Sequence, residues 1–156
     1  MTSEKIKIKD NFLNQIDFDS IQSFMMGGEI PWYFKPNYDL DNFQFTHTFY
    51  ADCVVQSEKM QLIDCILKLL QPVTIMKIRG NLLIRIPISQ FHTDLEELSE
   101  EKQKQWLTSI FYINTNNGHT SFEDGTKVES VANRMLIFPA NMKHTETPCT
   151  DNQRKV

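Results

Sequence analysis

The chain has 156 residues, 20 acidic against 16 basic side chains, a net charge of −4 and 40% apolar residues. This suits one domain with a real core; it is too apolar for intrinsic disorder and too acidic to wrap nucleic acid through a basic face. No apolar run reaches the roughly 18 residues of a membrane span, and the N-terminus lacks a signal-peptide core. Cys53, Cys65 and Cys149 have no zinc-like spacing and suit free thiols, so a cytoplasmic protein (host cytoplasm if viral) is expected.

Ile6 and Ile8 alternate with Lys5, Lys7 and Lys9, which predicts a half-exposed strand. Phe12, Ile16, Phe18, Ile21 and Phe24 predict a helix over 11–26, kinked near Asp17–Asp19, with Asp10 as N-cap and Gly27-Gly28 as the stop. Residues 30–42 carry Pro31 and Pro36 and predict a loop. Its Trp32, Tyr33 and Phe34 are expected to seal one end of the core. In the competing view the loop covers a substrate, with Trp32 and Tyr33 in contact.

Phe43 to Tyr50 alternates as a strand, and Glu58 to Gln71 keeps helical spacing until Pro72 stops it. Val73–Arg79 and Leu82–Pro87 read as two short strands, with Gly80-Asn81 as a kink or bulge. Leu95–Gln105 is highly charged and predicts a solvated loop or a single helical turn. Trp106–Asn114, His119–Glu123, Lys127–Ser130 and Asn133–Pro139 follow, separated by Asn-Gly and Asp-Gly hairpin signals. The pattern predicts a mainly β single domain with flanking helices, a sandwich or jelly roll. Residues 1–72 give helical and strand support, and 73–156 the jelly-roll core.

His92-Thr93-Asp94 is the first constellation with chemical content. On a strand, positions i and i+2 share a face, so an imidazole and a carboxylate can hold one cation. Alone the triplet is weak, because such pairs occur on ordinary surfaces. His144 follows about fifty residues later, and two histidines with one carboxylate make the facial triad of non-haem Fe(II) oxygenases. Arg154 lies ten residues beyond His144; if one strand carries both, they share a face, and a buried guanidinium there would grip a carboxylate. Tyr112 falls in an apolar strand, and its phenol could donate to the same carboxylate. His47 and His119 read as structural or exposed. Arg79, Asn81, Arg85, Asn133 and Arg134 fit a pocket lining or a solvated strand face equally well. Nothing orients a base toward Cys149, which argues against a thiol nucleophile.

His92-Thr-Asp94, Thr108-Ser-Ile-Phe-Tyr-Ile-Asn-Thr-Asn-Asn-Gly118, Phe122-Glu-Asp-Gly125, Ser130-Val-Ala-Asn-Arg134 and His144…Arg154 together resemble the 2-oxoglutarate/Fe(II)-dependent oxygenases. Within them the chain is most similar to the prolyl-4-hydroxylase-like group, in the short form found in marine bacteriophages and bacteria. The resemblance is strong from about Arg79 onward and faint before it. It implies a double-stranded β-helix (jelly roll, cupin-like), with Fe(II) on His92, Asp94 and His144. It also implies 2-oxoglutarate held by Arg154 with help from Tyr112. The implied reaction uses O2, is aided by ascorbate, and converts 2-oxoglutarate to succinate and CO2 while hydroxylating a substrate.

Three positions depart from the family pattern. Related sequences commonly read Asn-Leu-Tyr-Pro-Arg where this one has Asn81-Leu-Leu-Ile-Arg85. Glu146 replaces a glycine common two residues after the second histidine and is read as a surface residue. The sequence ends two residues after Arg154, where relatives continue into an apolar strand, so either the chain is truncated there or a sheet edge is left open. The alternative function is a cupin-like metalloprotein, an isomerase or a ring-cleaving dioxygenase, using the same triad without 2-oxoglutarate. The substrate is left as a peptide, a protein (through a prolyl residue) or a small molecule, with loops 30–42 and 95–105 expected to choose it.

Overall fold

The computed structural model describes residues 6–36, 43–85 and 90–156. Strand β1 (Lys7–Lys9) opens the chain as the alternation predicts. The first helix, α1 (Gln15–Met26), starts later than expected. Asn14 is its cap: its Oδ1 accepts the Asp17 N–H at 3.0 Å and its amide donates to the Asp17 carboxylate at 2.7 Å. That reciprocal pair satisfies a backbone donor and puts negative charge at the positive end of the helix. Asp10, expected in this role, is instead gripped through both oxygens by Arg134, 124 residues away, at 2.6 and 3.1 Å. The guanidinium holds the Asp10 carboxyl below the usual carboxylate range.

Residues 33–36, expected in a loop, form strand β2 (Tyr33–Pro36), which pairs with β3 (Phe43–Ala51). Tyr33 and Phe34 do not seal the core; they are 64% and 60% exposed. The Phe34, Phe43 and Phe45 rings lean on one another at 5.5–6.1 Å. Residues 37–42 lie outside the described residues. A short strand, β4 (Val54–Val55), also pairs with β3. Next come a 3₁₀ turn (Met60–Ile63) and helix α2 (Asp64–Leu70), ended by Gln71 in the left-handed region before Pro72.

The two strands expected over 73–87 are one, β5 (Lys77–Leu82), antiparallel to β3. Residues 86–89 lie outside the described set. The expected kink at Gly80-Asn81 is absent, and the register shift falls on β3 between Thr48 and Tyr50. Gly80 serves close approach: a Cβ there would lie 2.6 Å from the Met25 methyl.

After helix α3 (Glu100–Gln103) a hairpin forms at Asp124-Gly125 but not at Asn117-Gly118, where the chain crosses from one sheet to the other, and the expected strands appear. They are β6 (Leu107–Tyr112), β7 (His119–Phe122), β8 (Lys127–Glu129), β9 (Arg134–Pro139) and β10 (His144–Glu146). The tight turns are self-supporting: Asn116 Oδ1 accepts the Gly118 N–H and Asp124 Oδ1 the Thr126 N–H, with Gly125 at φ +88°.

By contacts the chain forms two compact units, Met1–Phe12 with Ile84–Lys155, and Leu13–Leu83 with Val156. The unit that carries the two sheets of the C-terminal half takes in residues from Ile84 and includes the N-terminal strand. In the second unit Phe49 packs on His47 and Phe24. His47 Nδ1–H donates to the Pro31 carbonyl and Nε2 accepts from the Ser57 hydroxyl, a structural role.

The first unit has two antiparallel sheets, ordered β1-β9-β6 and β10-β7-β8. Tyr112, Leu136 and Phe138 from one meet Phe122 and Val128 from the other in a buried cluster. This is the jelly-roll arrangement expected from the strand run. Leu136 is 0% exposed between the sheets, so Leu136→Ala should lower unfolding free energy by about 3–4 kcal/mol, read from denaturant unfolding.

Candidate metal centre

His92 and His144 are brought together by the backbone before any ligand is considered. The two residues form an isolated antiparallel bridge, each N–H donating to the other's carbonyl at 3.0 and 2.9 Å. Their rings lie 4.8 Å apart. Each Nδ1 faces a carbonyl two residues back, Gln90 for His92 and Met142 for His144, both at 3.2 Å. A carbonyl only accepts, so Nδ1 carries the proton and each Nε2 is left as a lone-pair donor. This is how second-sphere contacts orient metal-binding imidazoles.

Asp94 completes the set. Its Oδ2 lies 3.7 Å from His144 Nε2 and accepts a hydrogen bond from Thr108 at 3.1 Å. Asp94 does not continue a strand after His92, as the two-residue spacing assumed, but opens a turn. The buried Gln103 side chain fixes that turn by donating to the Leu95 and Leu98 carbonyls at 2.9 and 2.8 Å. The charged stretch expected to be solvated therefore contains an internal clamp.

Donor atoms of His92, Asp94 and His144 all lie within 4.8 Å of one another. His144 is buried and Asp94 keeps a 34% exposed side chain, so one side of the set is sheltered and the other open. Two imidazoles and one carboxylate, with no thiolate, fit Fe(II) in a facial triad.

The sheet carrying His144 continues inward from the triad. On β10, Glu146 shares the face of His144, and across the ladder Thr120 and Phe122 of β7 stand opposite them. Tyr112 reaches Thr120 through a 2.7 Å hydroxyl–hydroxyl hydrogen bond, and burial raises its phenol further above its ordinary pKa. Into this group comes Lys155, whose side chain is 3% exposed. Its ammonium donates to the His119 and Thr147 carbonyls at 3.2 and 3.3 Å and lies 5.9 Å from the centre of the Tyr112 ring. Burial pushes its pKa down. Gly118 makes room for the stem: a Cβ there would sit 3.2 Å from Lys155 Cδ and 2.8 Å from the Thr147 carbonyl.

Arg154 is partly buried, and its carbonyl accepts from Asn114 at 3.0 Å. One strand does not carry both His144 and Arg154, because β10 ends at Glu146 and an irregular segment follows. Lys155 was missed for that reason. Glu146, read as surface, has a side chain only 20% exposed, with Oε2 4.0 Å from the Lys155 ammonium. Its two-residue spacing from His144 was the signal that could have placed it. Arg134 and Asn133, considered as pocket residues, have structural roles: Arg134 holds Asp10, and Asn133 takes a left-handed turn conformation at φ 62°. Arg85 donates to the Thr150 carbonyl, and Arg79 to the Asn81 side chain.

No family model matches the chain, and no curated protein matches it. Among solved structures it is similar to a viral collagen prolyl hydroxylase from Paramecium Bursaria Chlorella virus-1, determined as a 2-oxoglutarate complex. The TM-score is 0.66 at 15% identity, covering 98% of this chain and 92% of that one. It is also similar to a Pseudomonas putida prolyl-4-hydroxylase, with a TM-score of 0.57 at 13% identity over 97% of this chain and 88% of that one. The expected fold is thereby met: the chain has the jelly-roll architecture of these prolyl hydroxylases.

Proposed function

We propose that the chain is an Fe(II)- and 2-oxoglutarate-dependent hydroxylase of the prolyl-4-hydroxylase-like group. The observation that carries this reading is the convergence of His92, Asp94 and His144 on a jelly roll of the prolyl-hydroxylase kind. His92 and His144 would bind the metal through Nε2 and Asp94 through a carboxylate oxygen. When bound, Fe(II) with 2-oxoglutarate and O2 supplies the oxidising power, with succinate and CO2 as coproducts and ascorbate as a helpful reductant.

The protein's part is to bind and orient. A dicarboxylate needs a cation at its far end, in a place where water does not screen it. The sequence puts this charge on Arg154. Burial and contact favour its neighbour Lys155, which reaches the Tyr112 ring and the face shared by His144 and Thr120, and we assign the role to Lys155. The Tyr112 and Thr120 hydroxyls, bonded to each other, leave one O–H to donate beside it.

A substrate would approach from the open side of Asp94. A groove lined by Thr93, Gln103, Phe122, Glu123, Asp124 and Lys143, though by none of the three metal-binding side chains, supports a part for segment 95–105 in choosing the substrate. The prolyl hydroxylase activities of the structural neighbours support a prolyl residue of a peptide or protein as substrate. No helix among the described residues is long and apolar enough to cross a membrane.

The second reading, a cupin-like metalloprotein without 2-oxoglutarate, gives the buried Lys155 ammonium only its structural partners, the His119 and Thr147 carbonyls and Glu146. The deciding experiment measures succinate from the Fe(II)-loaded chain with 2-oxoglutarate, O2 and ascorbate. Succinate above the metal-free background is expected. Its absence, together with no binding of 2-oxoglutarate to the loaded protein, would overturn the assignment.

A further inference from the structure

Resting on the cosubstrate site just described, we propose that Glu146 is a built-in competitor for Lys155, and that it sets how tightly this pocket holds a dicarboxylate. Glu146 stands two residues from His144 on β10 and faces the same side. Its Oε2 lies 4.0 Å from the Lys155 ammonium, whose two hydrogen-bonded partners are the neutral carbonyls of His119 and Thr147. Glu146 is thus the carboxylate that faces this buried cation in the ligand-free chain.

A buried ammonium without a counter-charge is unfavourable, and Glu146 relieves that penalty before any ligand arrives. The incoming carboxylate of a diacid then meets a pocket that is already neutral. One cation faces two carboxylates, and like charges this close repel where dielectric screening is low. The Glu146 side chain is 20% exposed, so it has a route toward water when the diacid takes its place on Lys155. The exchange swaps one ion pair for another and gains little. Affinity for the diacid falls below that of the same pocket with an uncharged residue at 146. A 2-oxo acid without the distal carboxylate never reaches Lys155 and is indifferent to Glu146.

The test compares the wild-type chain with Glu146→Gln, both loaded with Fe(II) without O2. Binding of 2-oxoglutarate and of pyruvate, which lacks the second carboxylate, is measured by calorimetric titration. Glu146→Gln is expected to tighten 2-oxoglutarate on the order of tenfold while pyruvate stays within about twofold. The ligand-free variant should also melt at a lower temperature than wild type, and saturating 2-oxoglutarate should raise its melting point by more than it raises that of wild type. Glu146→Ala, a second variant, should tighten the diacid in the same direction. Unchanged or weaker 2-oxoglutarate binding in both variants, in a wild type that prefers 2-oxoglutarate to pyruvate, overturns the role of Glu146 alone. A wild type with no such preference overturns the cosubstrate assignment, and this inference with it.

Discussion

Replacing Asp94 with alanine is expected to lower Fe(II) affinity by more than about 100-fold, because loss of outer-sphere partners alone costs 10–100-fold. Asp94 brings the set's single negative charge, and the two neutral imidazoles left behind make a poor site for a hard divalent cation. The fold should hardly notice. Asp94 has a 34% exposed side chain, and the turn after it is held by Gln103 rather than by the carboxylate. Metal titration and denaturant unfolding on the same sample therefore separate the two roles. Thr108→Val, which removes only the 3.1 Å hydrogen bond to Oδ2, should weaken metal binding by roughly tenfold. Undiminished affinity in Asp94→Ala would show that the three residues converge without forming a site.

Lys155→Met should weaken 2-oxoglutarate binding on the order of 100-fold, about 2.7 kcal/mol, the scale of a charge-assisted contact in a sheltered pocket. Methionine keeps the stem that runs past Gly118, so packing is conserved while the charge goes. Arg154→Met is the companion measurement. If the buried ammonium is the grip, the arginine variant changes affinity by less than about threefold, which is under 1 kcal/mol. The reverse ranking would return the role to Arg154, as the sequence alone suggested. Calorimetric titration of both variants decides between adjacent residues whose roles no count along the chain can separate.

That ambiguity shows what the sequence could and could not carry. His92, Asp94 and His144 were legible because ligand chemistry restricts residue type as well as spacing. The hairpin at Asp124-Gly125 was legible because its left-handed glycine restricts residue type too. Lys155 was not, since parity along a strand fails once the chain leaves β10 at Glu146 and crosses the irregular segment 147–153. Asp10 was misplaced as a helix cap because its partner Arg134 is 124 residues distant, a contact no local pattern contains. Strand β2 was hidden by Pro31 before it and Pro36 at its end, and the pairing of β5 with β3 by the fact that alternation names a strand but not its neighbour.

The sheet of the second unit has a further consequence at β2. Among the described residues this strand pairs with β3 alone and forms a rim of that sheet, where it displays Tyr33 and Phe34. Such a rim invites fibril-like stacking. The strand closes on Lys35 and Pro36, a charge that resists burial and a residue with no amide hydrogen to offer. Pro36, one of the two prolines that made the segment read as a loop, thus helps guard the chain against self-templated growth from this aromatic border.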